Sequence, residues 1–375
     1  MKLPPPDIAY LTDIYFGFGS VARVAELLER FEVHRPLVVT DAGLIELGTV
    51  ARLGISAAEV FADTETNPTE VNLRDCLSRY RQAGCDGIVA LGGGAPMDLA
   101  KLVGLMVGHP PPLAQYAIVH GGVTRIGPAI PPIVAVPTTA GSGSEVGRAA
   151  LLKLDTGRKL GFLSPYLLPK STVCDPDLTT SLPPFLTAAT GMDAISHCIE
   201  AYCSPRINAV ADAIALDGLG RGWGAIRKAQ ANGADRGARS EMMLCSLMGG
   251  LAFQKGLGAV HSLSHPLGAV PGLRLHHGTL NALLLPLVLR FNHDACPQKL
   301  DALAHAVGLA AGTDLPTACE QLLGDLGLPD KLRDLGVARE ILAPLAQMAA
   351  ADHCTPTNPR ALGEEEARCL YSQAW

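Results

Sequence analysis

One carboxylate and several imidazoles occur in this sequence at spacings that suit a metal ion. Asp193 and His197 are four residues apart in an apolar stretch, and His261 and His265 repeat that spacing. Residues at positions i and i+4 of a helix share one face, so the two side chains of each pair project together. A lone pair of this kind is more often an ordinary polar contact. Here, however, four of the eleven histidines lie between residues 261 and 277, and this clustering favours a divalent transition metal such as Fe²⁺ or Zn²⁺.

Two glycine-rich turns are candidates for holding a nucleotide. Gly92–Asp98 directly follows one apolar run, and Pro137–Glu145 follows another. Bare backbone N–H groups at the start of a helix can approach a pyrophosphate closely, and the hydroxyl groups of the second turn can hydrogen-bond phosphate or ribose. Either turn alone is compatible with a simple chain reversal. Two such turns at the carboxyl ends of parallel strands predict a nucleotide site.

A third segment, Gly17–Ala22, matches the G-x-G-x-x-A dinucleotide fingerprint, and Asp41 follows at the expected interval of about 20 residues. The match is weak evidence because the chain has 40 glycines, and we interpret Gly17 and Gly19 as a tight turn into a helix. Asp41 itself ends a predicted strand. An acid there accepts hydrogen bonds from an adenosine ribose and repels a 2′-phosphate, which favours NAD over NADP. The alternative is a solvated turn aspartate.

The first half of the chain has the pattern of a parallel sheet covered by helices. Apolar runs without polar alternation predict buried strands at 36–40, 87–91 and 132–136. Apolar residues at helical spacing predict helices at 21–30, 69–83 and 97–107. The Pro- and Gly-rich stretch 108–132 is expected to be a surface excursion. This pattern predicts a Rossmann-like α/β fold.

The second half is expected to be helical almost throughout. Stretches rich in Ala and Leu predict helices at 185–203, 209–229, 239–253, 278–291 and 300–311. We therefore predict an NAD-binding α/β domain at residues 1–180 and an all-helical metal-binding domain at residues 181–375. The active site is expected in the cleft between them.

Composition and charge exclude several classes of protein. Apolar residues make up 48% of the chain and charged residues 18%, which excludes a disordered protein. The net charge is −6 without any basic block, so neither a nucleic acid nor a membrane is an expected partner. The ten cysteines include no C-x-x-C pair, and 1–6 has no apolar signal core. We therefore expect reduced thiols and a cytoplasmic location.

Over essentially its whole length, the sequence resembles the iron-containing (type III) alcohol dehydrogenase family. The motifs that carry the resemblance lie at 16–19, 67–69, 92–101, 137–145, 191–202, 261–268, 277–286 and 358–360. The resemblance implies a dehydroquinate synthase-like architecture of two domains. It also implies reversible hydride transfer between an alcohol and nicotinamide C4, with NAD and one divalent metal, preferably Fe²⁺ and alternatively Zn²⁺. A homo-oligomer, in the simplest case a homodimer, is implied as well.

The resemblance also assigns roles to individual residues. It implies that the metal ligands are Asp193, His197, His261 and His277. His265 is expected beside these ligands or on the nicotinamide side of the site. There it is either a catalytic proton relay or a polar neighbour whose hydrogen bonds are satisfied within the protein. The implied cofactor contacts are Asp41, Asn67, Gly92, Gly93, Gly94, Asp98, Thr138, Thr139 and Lys159. The implied substrate pocket contains Phe253 and Cys354.

Two departures from the family pattern bear on these assignments. Ala95 stands where the family usually has Ser, which removes one hydroxyl contact. The interval between His261 and His277 is longer than in close relatives, so it is a place for altered substrate choice and leaves His276 as an alternative ligand. His277 is preferred because it directly precedes Gly278, as in the family motif.

A narrower resemblance, at 157–162, 168–171, 252–258 and 275–279, is to the 4-hydroxybutyrate dehydrogenase branch. It implies 4-hydroxybutyrate and succinic semialdehyde as substrates. The alternatives are a general dehydrogenase of short-chain alcohols, diols or lactaldehyde, a metal-dependent cyclase that uses NAD transiently, and an inactive nucleotide-binding regulator.

A carboxylated substrate needs a cationic partner away from the metal. Arg274 lies in the lengthened segment between two expected ligands and is the preferred candidate. Arg148 is the competing candidate, and a solvated loop position for Arg274 is the alternative to both.

Overall fold

The computed structural model describes residues 12–310 and 313–375. The N-terminal stretch 1–6 and the last residue of the helix predicted at 300–311 lie outside the described residues.

Six parallel strands form the sheet of the first half, in the order β1-β8-β5-β4-β2-β3. Their bounds are β1 Asp13–Phe16, β2 Pro36–Val39, β3 Glu59–Phe61, β4 Gly87–Gly92, β5 Ile133–Pro137 and β8 Ser171–Cys174. The strands predicted at 36–40, 87–91 and 132–136 are β2, β4 and β5. The α/β prediction is thus confirmed.

Each of the central strands is buried on both faces, because helices cover the sheet from both sides. Successive residues of β4 alternate between the two faces: Ile88 packs with one apolar cluster and Val89 with the other. The helices of this half are α1 Val24–Arg30, α2 Ala42–Glu46, α3 Glu70–Gln82 and α4 Gly94–Gly108.

The structure differs from the sequence predictions of this half in several places. Strands β1, β3 and β8 and helix α2 were not predicted, and the helix predicted at 21–30 is α-helical only from Val24. An antiparallel hairpin, β6 Ala149–Lys153 and β7 Lys159–Leu163, was not predicted. The helix expected at 97–107 begins at Gly94, so the glycine turn is already part of its first turn. The segment 108–132 is not a simple surface excursion, because Tyr116 and Ala117 are buried and Ala117 pairs with Phe162 of β7.

From Pro184 onward the described residues form helices and short turns. The helices are α5 Pro184–Cys203, α6 Ala209–Ala231, α7 Arg236–Ala252, α8 Ala259–Leu267, α9 His277–Asn292, α10 Pro297–Ala306, α11 Leu315–Asp325, α12 Leu342–Ala350 and α13 Glu364–Ala374. α5, α6 and α7 pack on one another, and α9 packs on α5. All five helices predicted here exist, with ends that differ by a few residues.

Small residues allow this close packing. A Cβ added at Gly278, in the first turn of α9, would lie 2.2 Å from the carbonyl oxygen of Ala189 in α5. Since α5 and α9 approach so closely here, side chains on their facing surfaces meet. In the described segments no single helix has the length and hydropathy to cross a membrane; only the bent pair Arg236–Lys255 and Ala259–Leu267, at 104°, passes that test.

Candidate active site

A cavity of about 860 Å³ opens between the sheet and the helical half. Residues from both halves line it, from Asp41 to Leu178 on one side and from Ser181 to Thr357 on the other. A volume of this size is typical of sites for small ligands and cofactors. One cavity therefore borders most of the residues predicted for metal, nucleotide and substrate.

Three helices bring four potential metal ligands together at the floor of this cavity. Asp193 and His197 lie one turn apart on α5, His261 lies on α8 and His277 is the first residue of α9. Asp193 Oδ1 is 3.7 Å from the Nε2 atom of His197 and 3.8 Å from those of His261 and His277. His276 instead caps α9, with its Nδ1 3.4 Å from the amide nitrogen of Thr279.

The spacing of these atoms fits a divalent metal. With metal–ligand bonds of about 2.0–2.2 Å in a tetrahedral arrangement, ligand atoms are roughly 3.4 Å apart, close to the observed separations. Asn281 Nδ2 lies 2.7 Å from Asp193 Oδ1 and 3.1 Å from the Nε2 atoms of His261 and His277. Three acceptor atoms thus converge on the amide nitrogen of Asn281, which has only two hydrogens to donate. A divalent cation among the same atoms would serve all three acceptors.

Glu200 fixes the orientation of His261. Its Oε2 accepts a hydrogen bond from His261 Nδ1 at 2.5 Å, and its Oε1 accepts one from the backbone N–H of Val260 at 2.7 Å. Because a carboxylate accepts hydrogen bonds and does not donate them, the proton of His261 resides on Nδ1. Nε2 therefore keeps its lone pair for a metal, which is the usual support of a histidine ligand.

A second group of side chains lies beside the first. His265 Nδ1 donates to Asp352 Oδ2 at 3.0 Å, so its Nε2 also keeps its lone pair. The ring of His265 stacks between those of His277 and His353, with centroid separations of 5.6 and 5.3 Å. Cys354 completes this group and is buried.

Burial keeps most of these imidazoles neutral. It lowers the pKa of His197 and of His265 to about 4, and it lowers the pKa of His277 well below its usual value. His261 differs: burial acts to lower its pKa, but the hydrogen bond and the charge of Glu200 outweigh burial and raise it. Neutral imidazole is the form that binds a metal.

The opposite wall of the cavity consists of glycine-rich turns at the carboxyl ends of adjacent strands. β4 pairs with β5 in a register that sets Gly92 opposite Pro137, so both turns begin side by side. Gly93, Gly94, Thr138 and Thr139 line the cavity. Gly92 does not line the cavity. Its φ of 148° and its close approach to Pro96 require glycine at this bend, and the two residues that follow the bend, Gly93 and Gly94, line the cavity.

The other predicted cofactor residues also line the cavity, but they have partners within the protein. Asp41 Oδ1 caps α2 by accepting from the backbone of Leu44 at 3.0 Å. Asn67 Oδ1 accepts from Lys159 Nζ at 2.9 Å. Asp98 is bound on both oxygens, by Ser144 Oγ at 2.7 Å and by the backbone of Leu151 at 2.9 Å. Asp98 therefore ties α4 to the hairpin.

The fingerprint match at 17–22 lies elsewhere. It follows β1 at the edge of the sheet, and the backbone N–H of Val21 donates to Asp175 Oδ2 at 3.1 Å. None of its residues is among those that line the cavity. The segment is a turn into a short helix, as we interpreted it from the sequence.

The substrate side contains two of the three predicted residues. Phe253 and Cys354 line the cavity, and the Phe253 ring packs edge-on against His197 with a centroid separation of 5.2 Å. Arg274, however, is exposed and does not line the cavity. Arg148, the competing candidate, lines the cavity, and so does Arg206.

Sequence reasoning missed several residues that support or line the site. These are Glu200, Arg206, Asn281, Asp352 and His353. A usable signal existed for two of them, because Asp352 and His353 directly precede Cys354. For Arg206 no local pattern separates it from a solvated loop residue.

Comparisons with known proteins agree over nearly the whole chain. The family model "Iron-containing alcohol dehydrogenase" matches residues 12–176, and "Fe-containing alcohol dehydrogenase family, C-terminal" matches residues 187–375. The chain is 49% identical to 4-hydroxybutyrate dehydrogenase of Cupriavidus necator, over 98% of this chain and 99% of that protein.

Similarity extends to diol dehydrogenases. The chain is 38% identical to 1,3-propanediol dehydrogenase of Klebsiella pneumoniae, over 96% of both chains. The crystal structure of a 1,3-propanediol oxidoreductase superposes with a TM-score of 0.91 at 37% identity, over 98% of this chain and 100% of the other.

Proposed function

The chain belongs to the iron-containing alcohol dehydrogenase family and is an NAD-linked oxidoreductase of a small alcohol or aldehyde; on that premise we propose that it interconverts 4-hydroxybutyrate and succinic semialdehyde. The support for this substrate is the 49% identity to 4-hydroxybutyrate dehydrogenase over nearly the full length of both chains. The geometric support is that the converging imidazoles and the glycine turns line the same cavity.

The protein uses NAD and an iron ion, as its family does. We propose that Asp193, His197, His261 and His277 hold the metal. Their acceptor atoms converge at separations that suit it, and Glu200 holds His261 in the tautomer that a ligand needs. We also propose that the N–H groups of Gly93 and Gly94 bind the pyrophosphate of NAD, together with the hydroxyls of Thr138 and Thr139.

When bound, the metal supplies Lewis acidity for the alcohol oxygen and NAD supplies the hydride acceptor. The protein's own residues position the reactants and control protons. Asp352 holds the proton of His265 on Nδ1, so His265 Nε2 is free to accept the alcohol proton. Phe253 and Cys354 present apolar surface that excludes water from the reacting carbon.

A diol substrate is the second candidate. It is favoured by the similarity to a 1,3-propanediol dehydrogenase in sequence and to a 1,3-propanediol oxidoreductase in structure. A 1,3-diol and a 4-hydroxy acid both present a second polar group beyond the reacting hydroxyl. They differ in charge, so the polar residues at the far end of the cavity decide between them.

We propose further that the two halves are separate domains, 1–180 and 181–375, with the cavity at their boundary. All ten cysteines are free, nine of them buried, which supports a reducing compartment such as the cytoplasm. A homodimer is proposed from family membership.

The test is the steady-state rate of NADH formation by purified protein of measured metal content. The panel is 4-hydroxybutyrate, 1-butanol, 1,3-propanediol and 1,2-propanediol, each with NAD and with NADP. The proposal expects the highest kcat/KM for 4-hydroxybutyrate with NAD, and loss of activity on chelation with recovery on adding Fe²⁺. A higher kcat/KM for 1,3-propanediol would favour the second candidate, and no net NADH from any alcohol would point to a cyclase or an inactive regulator.

A further inference from the structure

Two arginines without protein partners face the substrate side of the cavity. Arg148 directly precedes β6, and Arg206 lies in the loop between α5 and α6. In the described residues, 12–310 and 313–375, no carboxylate oxygen lies within 4.0 Å of either guanidinium, and neither guanidinium donates a hydrogen bond to a protein group.

The positive charge of Arg206 acts on the guanidinium group of Arg148. Burial is the largest cause that lowers the pKa of Arg148, and the positive charge of Arg206 is the second. Arg148 is half-buried and Arg206 is exposed at the rim of the cavity. Two like charges near one another, one of them partly removed from water, are unfavourable without an anion. Such an arrangement favours a ligand with a negatively charged group.

The backbone holds both arginines in place. The carbonyl oxygen of Arg148 accepts from the backbone N–H of Ser164 at 3.0 Å. On the other side, Lys299 Nζ donates to the carbonyl oxygen of Ser204 at 2.6 Å, and the side chain of Asn208 caps α6. The loop that carries Arg206 is therefore anchored at both ends, which lowers the entropy lost when a ligand binds.

Phe253 connects this pair to the proposed metal centre. Its ring lies edge-on to His197 on one side. On the other side it fits against Gly147, where an added Cβ would lie 2.8 Å from Phe253 Cζ. Arg148 is the next residue. A short chain with one end at the metal ligands would thus pass the ring of Phe253 before its other end meets the arginine pair.

From this arrangement we propose that Arg148 and Arg206 bind the terminal carboxylate of the substrate and select ω-hydroxy acids over uncharged alcohols. The inference rests on the proposed function and specifies which residues recognise the acid. Guanidinium groups suit this role because their planar N–H donors match the two oxygens of a carboxylate. Arg274, exposed on the loop before α9, has no part in it.

The kinetic test compares Arg148→Met, Arg206→Met and Arg274→Met on 4-hydroxybutyrate and on 1-butanol, which has the same number of carbons and no charge. We expect kcat/KM for 4-hydroxybutyrate to fall about ten- to a hundredfold in the first two variants. For 1-butanol we expect a change of less than about twofold. Arg206→Lys should retain part of the selectivity because it keeps the positive charge. It should not retain all of it, because lysine lacks the planar pair of N–H donors that a guanidinium offers to a carboxylate.

A binding experiment gives a readout independent of turnover. Butyrate has the carboxylate but no hydroxyl, and calorimetry of the wild-type protein with NAD should detect its binding. The affinity should fall about tenfold or more in Arg206→Met, which alters an exposed side chain and leaves the core intact. Unchanged NAD affinity and metal content in each variant would establish that the protein is folded.

The outcomes separate the inference from the proposed function. If the wild-type protein prefers 4-hydroxybutyrate but the variants lose both substrates equally, or neither, the arginine pair does not recognise the carboxylate and the proposed function stands. A selective loss in Arg274→Met would transfer recognition to the loop and overturn the inference. If the wild-type protein turns over 1-butanol but not 4-hydroxybutyrate, the proposed function and the inference both fall.

Discussion

The two halves of this molecule face the same cavity with different chemical groups. The helical half presents side chains, with imidazoles from α5, α8 and α9 converging near Asp193. The α/β half presents glycine-rich turns and the hydroxyl-bearing residues Thr138 and Thr139, which follow β4 and β5 at the same edge of the sheet. A metal needs a few strong donors in fixed directions, whereas a pyrophosphate needs several weak donors that approach closely.

Buried polar and charged side chains have different roles in the two halves. In the α/β half, Lys101 is fully buried and its Nζ donates to the carbonyl oxygens of Ser144, Gly147 and Ala149 at 2.6 to 2.9 Å. Burial lowers the pKa of Lys101 to about 8, yet the protein itself satisfies every donor. In the helical half, the acceptor atoms converge on a point instead. Several acceptor atoms that converge on one position therefore indicate a binding site, whereas a buried charge whose hydrogen bonds are all made within the protein indicates a structural role.

The strongest test of this contrast is His261→Ala, which removes a side-chain ligand from the helical half. We expect metal affinity and turnover to fall by more than about a hundredfold, because loss of a supporting residue alone typically costs ten- to a hundredfold. The metal content of the purified variant should fall accordingly. NAD affinity should stay near the wild-type value. Metal analysis and NAD titration of the purified variant provide the measurements.

Glu200→Gln is the graded control for that experiment. It keeps an acceptor for the backbone of Val260 and removes the charge that orients His261. Metal affinity should fall about ten- to a hundredfold, less than in His261→Ala. Full metal content and full rate in His261→Ala would make the ligand assignment wrong.

The matching change in the α/β half is Gly94→Ala. The added Cβ would lie 3.0 Å from Ser142 Cβ and would narrow the turn that faces the nucleotide. We expect KM for NAD to rise about tenfold, or about 1.4 kcal/mol, while metal content is unchanged. Gly224→Ala is a suitable control, because an added Cβ there meets nothing within 4 Å. An unaltered KM for NAD in Gly94→Ala would remove this turn from the cofactor site.

The smallest expected effect concerns the one side chain by which the α/β half would select its cofactor. Asp41→Asn removes the charge and keeps the cap of α2, because Asn is as good a helix cap as Asp. The ratio of kcat/KM for NADP to that for NAD should rise several-fold. Asp41→Gly removes both the charge and the side chain that caps α2. The loss of the cap should lower the thermal unfolding temperature of this variant. If neither variant changes the ratio, Asp41 serves only as a cap.

The sequence by itself determined much of this molecule. Short apolar runs without polar alternation, bounded by Gly, Asp, Pro or Thr, predicted the buried strands β2, β4 and β5. The spacing of Asp193 and His197 is a property of any helix, so their shared face followed from the sequence alone. The hairpin of β6 and β7 was missed because its short alternating strands resemble many loops.

The tertiary structure decided what depends on distant segments. His277 and His276 are neighbours in sequence, and only the packing of α9 on α5 brings one of them to Asp193 while the other caps the helix. Likewise, the sequence favoured Arg274 over Arg148 as the partner of a carboxylate and did not single out Arg206, whereas the structure places Arg148 and Arg206, and not Arg274, at the cavity. Which guanidinium groups line the cavity depends on how the segment before β6 and the loop after α5 pack against the rest of the protein, and no local pattern encodes that arrangement.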